Sequence, residues 1–212
     1  MTRATYIEQI LRLVYGGYIP DDSEITDNLV NLYINQGLAL AIKQNYKDAI
    51  QLDGVGYVNN AFYLTYKGLT ISQDEISTYK LQLPQLPIAI GRNEGVSTLQ
   101  LKDTNGLLSE PLVALSQSQK GYYQGLRNIP NKLLYYNEGN YLYIVSVNDI
   151  SDYTAIVTLV SGGNSTDLTS ELNVPDDYIS FITDYCFKML NLELRQPKDT
   201  QNDGAELATA KG

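Results

Sequence analysis

The sequence contains no histidine, no tryptophan, one cysteine and only three phenylalanines. Each absence removes a class of function. Without histidine there is no serine or cysteine triad of the usual form. Most zinc sites and the commonest general base go with it. With Cys186 alone there is no internal disulfide. No apolar run approaches the roughly 18 residues that a membrane-spanning helix needs, and no signal-peptide core is visible at the start. These features lead us to expect a soluble protein made in a cytoplasm. Positive charge is also scarce: 15 Lys and Arg stand against 24 Asp and Glu, a formal charge of −9. Such a chain lacks an electrostatic footprint for gripping phosphates, although it suits a channel wall that nucleic acid slides past.

What is present is a globular composition, 43% hydrophobic and 18% charged, over 212 residues. That length can bury a substantial core. Tyrosine dominates the aromatics, with 18 residues. Its apolar face and polar tip suit sheet positions and interfaces equally.

Hydrophobic periodicity divides the chain into helices, then strands, then a helix and a polar tail. Thr5-x-x-Glu8 reads as a capping box, followed by Tyr6, Ile10, Leu13 and Val14 at helical spacing and stopped by Gly16-Gly17. Ser23 is the expected cap of a long second helix. Its face carries Ile25, Leu29, Leu32, Tyr33, Leu40, Ile42, Tyr46 and Ile50, and Gly37 within it marks close packing against another helix. From Asp53-Gly54 the period becomes two. Strands are expected at Ala61–Tyr66 (with Lys67-Gly68 as a turn), Tyr79–Leu83, Leu99–Leu101 and Thr154–Val160. A hairpin pairs Leu133–Tyr136 with Tyr141–Val145. The last helix follows Pro175 and Asp176-Asp177, with Ile179, Ile182, Cys186, Met189 and Leu190 as its apolar stripe. The expected class is α+β: a bundle of the N-terminal helices (1–53) and one long C-terminal helix (171–196), an inserted antiparallel β-region (54–170), and an extended or flexible tail (197–212).

No catalytic constellation emerges. Ser77-Thr78-Tyr79-Lys80 matches a Ser-x-x-Lys nucleophile pattern, but it lies in a strand-like run where the two side chains face different ways. Ser161–Thr166 is Gly-rich yet lacks a phosphate-cradling lysine. Asp103-Thr104-Asn105-Gly106 begins like a calcium loop without the closing Glu and reads as a turn. The acid pairs Asp21-Asp22 and Asp176-Asp177 sit at expected helix starts, and Asp74-Glu75 is expected in a polar loop. Cys186 lies on an apolar stripe, as a core thiol does. The expectation is a non-enzymatic protein with no cofactor and no metal.

The opening Thr5-Tyr6-Ile7-Glu8-Gln9-Ile10-Leu11 through Asp27-Asn28-Leu29-Val30 is similar to connector proteins of crAss-like phages. So is the closing Val174-Pro175-Asp176-Asp177-Tyr178 through Asp184-Tyr185, then Asp203-Gly204-Ala205. The overall layout resembles the adaptor, or ring, proteins that join portal to tail in short-tailed bacteriophages. The resemblance implies a structural virion protein at the head–tail junction: a homo-oligomeric ring, twelvefold in that family. Its implied neighbours are the portal protein and other tail ring or tube proteins, and viral DNA passes through the lumen without sequence-specific binding. It implies no membrane contact. The contact residues expected are Leu29, Tyr33 and Gly37 on the second helix, and Pro197, Asp203, Gly204 and Leu207 in the tail. Two other readings compete. One is a carbohydrate-binding or carbohydrate-cleaving tail protein, with Tyr122, Tyr123, Tyr135 and Tyr136 as surface stacking platforms. The other is a head- or tail-completion protein.

Overall fold

A computed structural model describes residues 1–20, 24–91, 95–116, 133–146, 148–161 and 167–195. The expected positions Asp21-Asp22, Ser23, Tyr122, Tyr123, Gly162–Thr166 and the whole tail, including Pro197, Asp203, Gly204 and Leu207, lie outside the described residues.

Helix α1 spans Arg3–Val14. Its cap is Thr2, whose hydroxyl accepts from the Thr5 amide at 3.3 Å. The Thr5–Glu8 box therefore lies one turn inside the helix instead of at its start. The segment before the last helix satisfies the first free amides of α1: Arg3 N donates to Ser170 O at 3.0 Å and Ala4 N to Leu168 O at 2.9 Å. Helix α2 spans Asp27–Asp53 between a Thr26 cap and Gly54. Helix α3 spans Asp176–Arg195, with Asp176 and Asp177 in its first turn.

The helices share one core. Tyr6, Ile7 and Ile10 of α1, Val30, Ile34, Leu38, Ala41 and Ile42 of α2, and Ile182, Cys186 and Leu190 of α3 are all buried in it. The expected stripe of α3 is confirmed; the face of α2 is confirmed in part. Ile25, Tyr33 and Ile42 are buried and Leu29 and Tyr46 pack against the same core, but Leu32, Leu40 and Ile50 are 50%, 44% and 43% exposed. Val30, Ile34, Leu38 and Ala41 pack on the side opposite those three. Apolar residues on both faces of α2 allowed either phase, and burial selected one.

Residues Asn60–Phe62 form a single 3-10 turn where a strand start was expected. The strands are β1 (Tyr63–Thr70), β2 (Ser72–Glu75), β3 (Thr78–Gln82), β4 (Val96–Lys102), β5 (Val113–Ala114), β6 (Leu134–Glu138), β7 (Tyr141–Val145) and β8 (Thr154–Val160). They form a three-stranded sheet in the order β1-β8-β4 and a five-stranded sheet in the order β2-β3-β7-β6-β5. Every pairing is antiparallel except the short parallel β5–β6 pair. Lys67-Gly68 does not end β1. The strand continues through a register shift between Tyr66 and Leu69, where Gly68 adopts φ 72°. The positive φ read as a turn marks a bulge. The β6–β7 hairpin forms where expected, but Asn137 and Glu138, expected in its turn, belong to β6: Leu134 lies opposite Val145 and Glu138 opposite Tyr141, which leaves Gly139-Asn140 as the turn.

The two sheets share a second core: Leu99, Leu101, Val157 and Leu159 from the first, and Leu81, Tyr135, Leu142 and Ile144 from the second. Along β8 the alternation places Ala155, Val157 and Leu159 in this core, whereas Val160 belongs to the helical one. Around Val160 the layers are tied by Ser161 N donating to Phe62 O at 2.8 Å and Ile88 N to Val160 O at 3.0 Å. The Phe62 ring meets Tyr178 of α3 edge-on at 5.8 Å.

Candidate assembly surface

Where α2 and α3 meet, tyrosine hydroxyls join neighbouring elements. Tyr6 OH reaches Ile179 O at 3.1 Å and Thr183 Oγ1 at 2.8 Å. Asn45 donates to Tyr178 OH at 3.0 Å, Tyr185 OH donates to Gln36 Oε1 at 3.0 Å, and Tyr33 OH donates to Glu193. The rings of Tyr6 and Tyr33 lie in the bundle core and that of Tyr178 packs against it. The tyrosine content of the helices thus serves internal packing with a polar tip at the rim.

Two of the expected contact residues belong to this seam. Tyr33 is buried, and its hydroxyl is pushed up to about 12 by the hydrogen bond to Glu193. Gly37 is buried as well: a Cβ there would lie 3.1 Å from Tyr185 Cδ1 and 3.3 Å from Ile182 Cγ2. This is the close helix approach expected of it. Leu29 is half-buried against the same core.

Arg3 is wholly buried at the foot of α1. Its guanidinium donates to Asn31 Oδ1 at 2.6 Å and Asn35 Oδ1 at 2.8 Å. Burial pulls its pKa down to about 10, because the low-dielectric core disfavours the cation. Arg3 and the Asn pair were not legible as a unit in the sequence, since 28 and 32 residues separate Arg3 from Asn31 and Asn35.

The outward helical surfaces are different in kind. On α2, Leu32, Gln36, Leu40, Lys43, Lys47 and Ile50 recur at helical spacing and are all exposed. On α3 the outward residues are Asp177, Phe181, Asp184, Phe187, Lys188, Asn191 and Leu192. Phe187, Lys188, Asn191 and Leu192 line an open groove of about 510 Å³. Large apolar side chains repeated on two external faces are what an assembling protein leaves for its neighbours.

The enzyme-like motifs resolve into local structure. Ser77 sits at the corner between β2 and β3 with φ 63°. Lys80 pairs with Asp74 at 2.6 Å, which pushes its pKa up, the opposite of an activated lysine. Asp103 accepts from Leu107 N at 2.7 Å and closes a turn. Cys186 is buried, and burial pushes its thiol up to about 12. A cleft of about 470 Å³ between the helices and sheets is lined by Tyr46, Tyr57, Tyr63, Gly91, Ser97 and Val160 among others, with no carboxylate or amine among the described residues that line it. Among the described residues no cluster of metal-ligating side chains occurs and no helix is long and apolar enough to cross a membrane. The tyrosines expected as sugar platforms are corrected: Tyr135 and Tyr136 are 4% and 3% exposed. Tyr136 stacks on Tyr143 inside the hairpin at 5.0 Å.

No curated protein matches the chain. The family model described as phage tail ring protein 2, of crAss-like phages, matches residues 5–206. That span takes in the three helices, both sheets and most of the tail. It makes the protein a structural component of the virion, one that assembles with other tail proteins. On its fold, its outward apolar faces and this match, the chain belongs to the phage tail ring protein 2 family.

Proposed function

We propose that this chain is a subunit of a closed ring that connects the portal to the tail and forms part of the channel through which DNA passes. The observation that carries the reading is the pair of apolar faces on α2 and α3 that the described residues leave exposed, in a chain whose family is one of rings. A ring needs two different, complementary patches per subunit, repeated by a rotation that closes. The formal charge of −9 supports a lumen that repels phosphate and lets DNA slide. Twelve copies, the portal as the upper neighbour and another ring or tube protein below complete the proposal, with synthesis in the host cytoplasm before assembly.

The helical residues 1–53 with 171–196 act as one unit and 54–170 as another, the second joined to the first where its Val58, Phe62 and Val160 enter the helical core. Tyr33 and Gly37 would act on assembly indirectly, by fixing how α2 lies on α3. Leu29 and the tail residues Pro197, Asp203, Gly204 and Leu207 would touch the portal or a neighbouring copy. Size-exclusion chromatography with light scattering, alone and with purified portal, tests the reading. A ring-sized species is expected in at least one of the two samples. A chain that stays monomeric with and without portal would defeat it.

A further inference from the structure

We infer that the lateral contact of the ring is made by the outward face of α2 on one copy docking along the outward face of α3 on the next. This rests on the reading of the chain as a ring subunit and names the partner of its exposed faces: a second copy. Three observations point to this pairing.

The first is charge. The α2 face carries Lys43 and Lys47 between its leucines and isoleucine, and no acid. The α3 face carries Asp177 and Asp184 beside Phe181 and Phe187, together with one lysine, Lys188. All five charged groups on the two faces are exposed, and no ion pair among the described residues occupies them. Complementary charge on two different faces of one molecule suits head-to-tail contact and disfavours either face meeting itself.

The second is direction. Within the chain, Gln36 and Tyr33 of α2 reach Tyr185 and Glu193 of α3, while Asn45 reaches Tyr178. The helices are therefore antiparallel. Rotation about a ring axis that runs along the bundle preserves helix directions, so α2 meets its neighbour's α3 antiparallel too.

The third is register. With Lys43 placed opposite Asp184, antiparallel packing brings Leu40 to Phe187, Gln36 to Asn191, and Lys47 between Asp177 and Asp184. Leu40 then fills the open groove beside Phe187. The parallel alternative sets Lys47 against Lys188, a like-charge clash.

Reversing the charges tests the pairing on the full-length chain. Lys43→Glu with Lys47→Glu should weaken ring formation by at least about tenfold, and Asp177→Lys with Asp184→Lys should do the same. All four substitutions in one chain should restore rings. So should an equal mixture of the two double variants, as alternating rings. Circular dichroism matching the wild type confirms that each variant folds, as exposed positions should allow. Wild-type rings indifferent to both reversals would overturn this contact and leave the ring reading intact. Loss of rings without rescue by either combination would overturn the pairing as well. A wild-type chain that forms no ring, with or without portal, removes the ring reading and this contact with it.

Discussion

Three ionisable groups of the helical core make stability depend on alkaline pH. Burial pushes the Cys186 thiol from 9.0 up to about 12 and the Tyr6 hydroxyl from 10.0 up to about 12. The Glu193 hydrogen bond does the same to Tyr33. In each case the unfolded chain releases its proton first. The stability these groups contribute is complete below the unfolded pKa and is lost as pH climbs toward the folded one. Arg3 works in the other direction. Its folded pKa is lowered from 12.5 to about 10, so its contribution grows with pH, but only above about 10. The window between about pH 9 and pH 10 therefore belongs to Cys186. Urea midpoints should fall across that window for the wild type and fall less for Cys186→Ala, whatever the absolute stability of the variant. Equal slopes for the two proteins would show that the thiol does not titrate on unfolding. The burial of Cys186 was legible in the sequence because its neighbours on the α3 stripe are apolar at helical spacing. The burial of Arg3 was not: a charged residue beside a helix start reads as solvated until Asn31 and Asn35 arrive from another helix.

Among the elements, α3 could be read directly and α2 only in part, for one physical reason. The stripe of α3 is continuous over Ile179, Ile182, Cys186, Met189 and Leu190, so only one face can be buried. Helix α2 carries apolar residues around its whole circumference, and among the described residues its extra set, Leu32, Leu40 and Ile50, stays exposed. Periodicity alone then gives a helix without a phase. Strand β2, Ser72–Glu75, was missed because all four residues are exposed and polar. It exists through its ladder to β3. The close-packing position of α2 was found because glycine inside a long helix has a cost, about 1 kcal/mol against alanine. The structure shows what that cost allows: Ile182 and Tyr185 stand where a side chain would be. Gly37→Ala should be nearly neutral, the propensity gain offsetting a shift of the half-exposed Tyr185. Gly37→Leu should lose about 2 kcal/mol or more, since overpacking typically costs about 1–3 kcal/mol and the wholly buried Ile182 cannot retreat. Urea unfolding at constant m reads both. A stable Gly37→Leu protein would mean that the two helices separate more easily than their seam suggests.

At the scale of the whole molecule, the charge that suits a DNA channel opposes the assembly that builds it. Each copy carries −9. A compact chain of this length has a radius of gyration of about 17 Å, hence a sphere radius of about 22 Å, so adjacent centres in a ring lie roughly 43 Å apart. At that separation the repulsion between two copies is about 2 kcal/mol when the Debye length is about 30 Å, near 10 mM salt. It falls below about 0.1 kcal/mol when that length is about 8 Å, near 150 mM. The Lys–Asp pairs proposed at the lateral contact are short-range and exposed, worth up to about 1 kcal/mol each, and salt erodes them less steeply over the same range. Long-range repulsion therefore decides the sign. Ring formation should strengthen between about 10 mM and about 150 mM salt, as read by mass photometry at fixed protein concentration. Rings that are strongest at the lowest salt would mean that local attraction exceeds the net charge. The acidic character of the chain would then have to be concentrated away from the subunit contacts, on the surface facing the lumen.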